Sequence, residues 1–304
     1  MSFIEGAAAQ LLHIVLVLAV APVLAGMTAS LAARLAGHDG PPLSQPWSGL
    51  RRLLRKQALL PEDSSPLFPL APTAAFATTA AAAVLVPSFT TGMTFAPLAD
   101  LLTVAALLWL GRVIMALAAM DAGTAQGGLA AAGMMRLNLL AEPARLLIVL
   151  TLALLAGSGN LDLIVDQQRE GMLLPGAASA LAAAALIALG IVDAPARPDD
   201  RGWAYTGRDL ALCRYTEWLR LVVWLDLIGA LFLPVGMAWA DSGPEGWGLG
   251  LAAWLGRLVG FAVCLTVSRA AAEPVHPASA MNMPGIGLLL GVLASVIMLA
   301  SVGV

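Results

Sequence analysis

Stretches of about twenty apolar residues recur along this chain, and that recurrence leaves few folds open. A hydrocarbon layer about 30 Å thick is crossed by about 20 residues of helix. Nothing in that layer hydrogen-bonds a bare peptide group, so only helices and closed barrels cross it. Barrel strands give short segments of alternating polarity, and these runs are long and uninterrupted. They fall at about Gln10–Leu35, Leu67–Pro87, Leu98–Ala119, Leu137–Ala156, Leu174–Val192, Thr216–Ala240, Trp247–Val267 and Pro284–Val304. The expected fold is all-α, a single polytopic membrane domain over residues 1–304 with about eight transmembrane helices.

Charge supports this and narrows function. Only 12% of the residues are charged, about half the share of a soluble domain. A net charge of −3 without a basic tail gives no footprint for nucleic acid. Cys213, Cys264, His13, His38 and His276 are too scattered for a metal site within the chain, so a redox metal would belong to a partner. Glu5 precedes the first apolar run without any Lys or Arg, so the first helix is expected to stay in the mature protein.

Basic residues set the expected orientation. Arg51, Arg52, Arg55 and Lys56 follow the first run, Arg136 the third, Arg197, Arg201, Arg208 and Arg214 the fifth, and Arg269 the seventh. The alternate loops carry only Arg169. The positive-inside rule puts both termini outside and the basic loops in the cytoplasm. The cytoplasmic loop 37–66 carries an amphipathic helix, with Pro46 at its first turn and Trp47, Leu50, Leu53 and Leu54 interleaved with the basic residues. Its basic face suits anionic lipid or a docked partner. Residues 120–136 and 193–215 are the other cytoplasmic loops offered for docking.

Ionisable groups inside the apolar runs are the chain's most informative residues, because each is costly there unless it faces protein, water or a partner charge. Glu142 and Arg145 share a helix face at i, i+3, as do Glu217 and Arg220. Asp226 lies half a turn round from Glu217 and about 13 Å deeper, so it needs a partner on another helix. Arg112 and Arg257, at mid-segment, are the candidates. Each group reads either as a structural ion pair or as a station on a proton path. A lone His13 among Leu12, Ile14 and Val15 reads as a hydrogen-bonded packing residue.

Four ordered motifs carry a family resemblance. They are GPPLSQPWSGLRRLLRK in the first loop, VPSFTTGMTFAPLADLL at Val86–Leu102, DAGTAQGGLAAAGMMRLNLLAEP at Asp121–Pro143 and YTGRDLALCRY at Tyr205–Tyr215, with LFLPVG following in place. They resemble the subunit 1 membrane protein of respiratory complex I, and most closely its branch in formate hydrogenlyase and group 4 membrane-bound [NiFe]-hydrogenases. The chain departs from the family at Gln126, Gly133 and Met134, in the short Asp193–Ala204 segment and near Ser48–Gly49. Several carboxylates of the family's proton path therefore lack counterparts.

The resemblance implies a non-catalytic, multi-pass subunit of an oxidoreductase complex in the bacterial inner membrane. Such a subunit anchors a cytoplasmic hydrogenase-like module of large and small subunits. It links that module to antiporter-like, ion-translocating membrane subunits within the lipid bilayer. Fe–S clusters and a nickel–iron centre would lie in the partners, with no cofactor in this chain. Expected docking residues are Gln45, Arg51, Arg52, Arg55, Lys56, Arg208 and Asp209; expected path or coupling residues are Glu142, Arg145, Glu217, Arg220, Asp226, Arg112 and Arg257. The rival readings are a structural anchor without an ion path and a stand-alone ion transporter.

Overall fold

Proline, glycine and capping side chains cut the apolar runs into helices. The computed structural model describes residues 3–59, 61, 64–171, 182, 184–186, 205–239, 242–272, 289–293, 295–297 and 300. Helix α1 spans Phe3–Leu35, α2 Gln45–Leu54, α3 Leu67–Leu85, α4 Leu101–Asp121, α5 Ala125–Ala156, α6 Leu161–Arg169, α7 Gly207–Phe232 and α8 Gly243–Ala272. Among the described residues there is no strand. Isolated bridges join Thr90 to Ala238 and Asp100 to Asn160.

Five of these helices, α1, α3, α4, α5 and α8, are long and apolar enough to cross a membrane. They correspond to the first, second, third, fourth and seventh expected spans. The expected spans Leu174–Val192 and Pro284–Val304 lie largely outside the described residues, as do most of 193–215 and part of 37–66. Helix α7 overlaps the sixth expected span, about eight residues nearer the N-terminus, but is not among the five apolar enough to cross a membrane. Pro234 sets its end, because the residue before a proline is driven out of helical geometry, and Leu233 takes φ −138°.

The loop expected at 120–136 is corrected by the structure: from Ala125 onward it is the start of α5. Thr124 caps that helix by accepting from the Gly127 N–H at 3.0 Å, and the alanines and methionines that follow are good helix formers. Asp100, likewise, caps α4 by accepting from Thr103 N at 2.9 Å rather than sitting within a span.

Helix α7 is the axis of the bundle. It packs on α1, α2, α3, α6 and α8, while α3 packs on α4 and α4 on α5. Every residue from Val222 to Phe232 is buried, as befits a helix surrounded by others. Leu219, Val222, Ile228 and Leu231 meet Trp254 and Leu258 of α8 in the main core. That position explains how α7 tolerates Asp226 in its apolar half, because protein faces it; Glu217 and Arg220, half-buried, come just before that stretch.

The chain alternates between two ends of the bundle. One end carries α2, the starts of α3, α5 and α7, and the tail of α4. There Ser65 N donates to Asp121 Oδ2 at 3.0 Å and Leu59 N to Thr206 Oγ1 at 2.8 Å. The other end carries α6 and two irregular segments, Val86–Asp100 and Leu233–Trp239. Val86–Thr91 is wholly buried, so its peptide groups need partners. Ala238 N donates to Phe89 O at 2.8 Å and Thr91 N to Ala238 O at 3.4 Å.

The Tyr205–Asp209 motif is a clasp at the α2 end. Tyr205 stacks on Phe68, ring centroids 4.2 Å apart, and its hydroxyl donates to Phe68 O at 2.7 Å. Gly207 takes φ +56°, and a Cβ there would strike Gln57 O and lie 2.7 Å from Lys56 O. Gly207→Ala should therefore destabilise the protein by roughly 1–3 kcal/mol, from strain and displaced loop backbone together. Thermal unfolding in detergent would read this, and an unchanged midpoint would mean that the loop after α2 is not seated on α7.

Candidate functional site

Four of the expected intramembrane residues converge on one spot between α4, α5 and α7. Glu142 pairs with Arg145 at i, i+3 on α5 and with Arg112 of α4 at 3.3 Å. Arg112 also donates to Asn138 Oδ1 at 2.5 Å. The Arg145 guanidinium lies over the Trp224 ring of α7, 5.2 Å from its centroid. Arg220 donates to Leu108 O of α4 at 2.6 Å. Gly111 gives it room: a Cβ there would sit 3.1 Å from its Nη2 and 2.8 Å from Thr78 Oγ1. Arg112, Glu142, Arg145, Arg220 and Trp224 line a cavity of about 20 Å³ walled otherwise by apolar residues such as Ile148 and Leu227. That is room for about one water. Among the described residues that line it, three guanidinium groups share this small buried space with the Glu142 carboxylate, where Coulomb interactions are far stronger than in water. Glu217 is half-buried one turn before Arg220.

Asp226 and Arg257 form a second, separate group. Asp226 is buried and accepts from the Trp254 indole N–H of α8 at 2.7 Å. Arg257 lies near enough for its charge to act on Asp226, and its own hydrogen bonds run to Ser88 O at 2.7 Å and Leu233 O at 3.1 Å. Of the two arginines considered for Asp226, Arg112 is ruled out by its place beside Glu142. Arg257 thereby ties both irregular segments to α8. His13 completes the anchoring. Its ring nitrogens meet Ser88 Oγ at 2.7 Å and Ala83 O at 2.8 Å, so Nε2 carries the proton given to the carbonyl and Nδ1 accepts from the serine.

The expected docking residues gather at the α2 end. Gln45, Arg51, Arg52, Arg55, Lys56 and Arg208 are exposed, and Asp209 is half-buried in the first turn of α7. On α2, Leu53 faces the protein while Trp47 and Leu54 are exposed on its apolar side. The helix therefore separates an apolar face from a basic one.

At the other end α6 grips the buried loop. Asp162 accepts from Gly92 N at 2.6 Å and Asp166 from Thr91 Oγ1 at 3.4 Å. Arg169 pairs with Asp166 at 3.5 Å and lies 3.6 Å from the centroid of Trp239. Burial lifts the Asp162 carboxyl to about 6, the Gly92 N–H opposes the lift, and the neighbouring Asp166 charge adds to it. A carboxyl raised in the folded state stabilises below its unfolded value, near 4, and loses that contribution as pH rises through about 6. Asp162→Asn should therefore unfold at higher temperature than the parent protein at pH 7.5 and gain nothing at pH 4. Melting curves across this range test it; an equal effect at both values would refute the burial argument.

Sequence reasoning missed Asn138, Trp224 and Trp254. Asn138 stands four residues before Glu142 and Trp254 three before Arg257, so each shares a helix face with the charge it serves. Nothing local marked Trp224, whose partner comes from another helix. Among the described residues no group of three or more His, Cys, Asp or Glu could hold a metal ion.

Comparison with known proteins gives the chain's family. Hydrogenase-4 component C of Escherichia coli (strain K12) is 31% identical, with 74% of each chain covered. Formate hydrogenlyase subunit 4 of the same strain is 27% identical, covering 74% of this chain and 77% of its own. A chain in the structure of the membrane-bound sulfane sulfur reductase, an archaeal respiratory membrane complex, shares the fold with a TM-score of 0.67 at 17% identity, covering 93% of this chain and 98% of that one. Residues 8–300 match the family described as NADH dehydrogenase, and the chain belongs to that family, as a membrane protein of the complex I subunit 1 type.

Proposed function

We propose that this chain is the membrane-anchoring and energy-coupling subunit of a complex I-related assembly of the hydrogenase or formate-hydrogenlyase kind. The observation that carries the reading is the similarity to Hydrogenase-4 component C along 74% of its length. The α2 end faces the cytoplasm of a bacterial inner membrane. Gln45, Arg51, Arg52, Arg55 and Lys56, with Arg208 and Asp209, receive a soluble module of large and small subunits. Its Fe–S clusters and nickel–iron centre lie outside this chain. Neighbouring antiporter-like subunits move the ions. The buried cluster of Arg112, Glu142, Arg145 and Arg220, with Glu217 beside it, is the coupling element. A carboxylate shared by two arginines changes its allegiance when a nearby charge moves, which is how a redox step at one end is felt within the membrane. Asp226 and Arg257 are the second coupling candidates.

The rival reading is an anchor with no ion path, and the geometry of Asp226 favours it: an indole N–H satisfies the carboxylate, as in a structural contact. Purification of the tagged protein in mild detergent tests assembly. Co-purifying hydrogenase-like large and small subunits with antiporter-like membrane subunits support it. A folded, metal-free, solitary protein would overturn it in favour of a transporter. Proton movement by the reconstituted complex separates the other two readings. Coupling requires Glu142→Gln to abolish that movement in an intact complex, and an anchor leaves it unchanged.

A further inference from the structure

A groove of about 620 Å³ opens where α2, α3 and the start of α7 meet. Leu50 and Leu54 line it from α2, Pro69 and Thr73 from α3, and Arg208 and Leu212 from α7. Its volume is in the range of small-ligand sites. Thr73 lies six residues into α3 and Tyr215 eight into α7, which puts the floor roughly 9–12 Å beyond the helix ends at about 1.5 Å per residue. Helix α3 is apolar enough to span a membrane, and α2 is amphipathic with Trp47 and Leu54 exposed on its apolar side. The groove therefore sits at the depth where headgroups give way to acyl chains.

Its chemistry is split in the same way. The walls are mostly apolar, with the hydroxyl-bearing Thr73 and Tyr215 among them, and the charges are at the mouth. Arg208 is exposed at the start of α7. Arg51 and Arg55 each follow a groove-lining leucine, about 100° further round α2, and both are exposed, as is Lys56. Asp209, the acidic group lining the groove, lies in the first turn of α7, where the N-terminus of the helix favours a negative charge.

We propose that this groove holds an anionic phospholipid. One acyl chain lies along Leu50, Leu54, Pro69 and Leu212. The phosphodiester rests on Arg208, with Arg51 and Arg55 closing over it. A guanidinium holds a phosphate with paired hydrogen bonds. Asp209 can accept from a headgroup hydroxyl or ammonium, so the preference for an anionic lipid rests on Arg208, Arg51 and Arg55. Arg51, Arg55, Arg208 and Asp209 then meet the docked module of the proposed function through the bound headgroup, and the lipid itself binds whether or not that module is present. Arg52 and Gln45 lie roughly opposite the groove on α2 and stay available to a docked protein.

Native mass spectrometry of the protein, with whatever subunits it retains in mild detergent, tests this. The probes are dioleoylphosphatidylglycerol, dioleoylphosphatidylethanolamine, ubiquinone and glycerol phosphate. The phosphatidylglycerol adduct should outlast the phosphatidylethanolamine adduct. Arg55→Gln with Arg208→Gln should weaken phosphatidylglycerol about thirtyfold, from two surface cations removed. Both are exposed, so the fold should survive. Leu54→Trp, which fills the groove without touching a charge, should weaken both lipids. Equal retention of the two lipids, indifference to the double substitution, displacement by ubiquinone, or equally strong binding of glycerol phosphate would each overturn the proposal.

Discussion

Glu142→Ala should destabilise the protein by about 3–5 kcal/mol, the usual cost of breaking a buried ion pair from one side. The side chains of Arg112, Glu142 and Arg145 are 12%, 17% and 5% exposed. Glu142 is a carboxylate that both guanidinium groups share, so its removal takes a counter-charge from each of them beside a space that holds about one water. Repulsion then adds to the lost pairing. Glu142→Gln keeps an oxygen acceptor and loses only the charge, so its cost should be distinctly smaller. The measurement is thermal or denaturant unfolding of the purified protein in one detergent, with both variants side by side. Equal midpoints for Glu142→Ala and the parent protein would mean that solvent reaches the cluster and that it holds nothing together. A folded Glu142→Gln protein is also what the coupling experiment needs, since only an intact complex can show loss of proton movement without loss of assembly.

Much of this was legible in the sequence, for identifiable reasons. Twenty-residue apolar runs dictate spanning helices whatever their surroundings, and α1, α3, α4, α5 and α8 follow from them. The Glu142–Arg145 pair was legible because both residues lie on one helix. So was a hydrogen-bonded role for His13, because a lone imidazole in an apolar run needs partners. Helix ends were less legible where the helix outruns its apolar stretch, as α5 does by twelve residues beyond the expected start at Leu137. Partners between helices were not legible at all. Arg112 and Arg257 stood equal as counter-charges for Asp226, and only packing separates them: α4 lies against α5, which presents Glu142, while α8 lies against α7. The role of the Val86–Leu102 motif was hidden for the same reason. Its backbone is satisfied by Asp162, Ala238 and Arg257, which come from three separate parts of the chain, while His13 holds the Ser88 hydroxyl.

Replacing Arg257 by alanine should cost about 3 kcal/mol, and the reason is a carbonyl as much as a charge. Ser88 O sits in a wholly buried segment and receives Nη2 of Arg257 at 2.7 Å. A buried acceptor left without its donor costs about 1–3 kcal/mol. Asp226 loses its nearby positive charge in the same step and keeps only the Trp254 N–H. Asp226→Asn alone should cost little, because the amide oxygen still accepts from the indole. In the Arg257→Ala background the same change should restore stability, because a neutral side chain no longer needs the missing charge. The double-mutant cycle should therefore show a coupling of roughly 1–2 kcal/mol. Strictly additive costs would mean that Arg257 acts only on the Ser88 and Leu233 carbonyls and that the Asp226 charge is held elsewhere. The cycle also bears on function. If Asp226→Asn is stable, assembled and inactive in proton movement, Asp226 is a path residue fixed by Trp254. If it is stable, assembled and fully active, the Asp226–Trp254–Arg257 group is the brace that holds two irregular segments against α8, and coupling must run through Glu142.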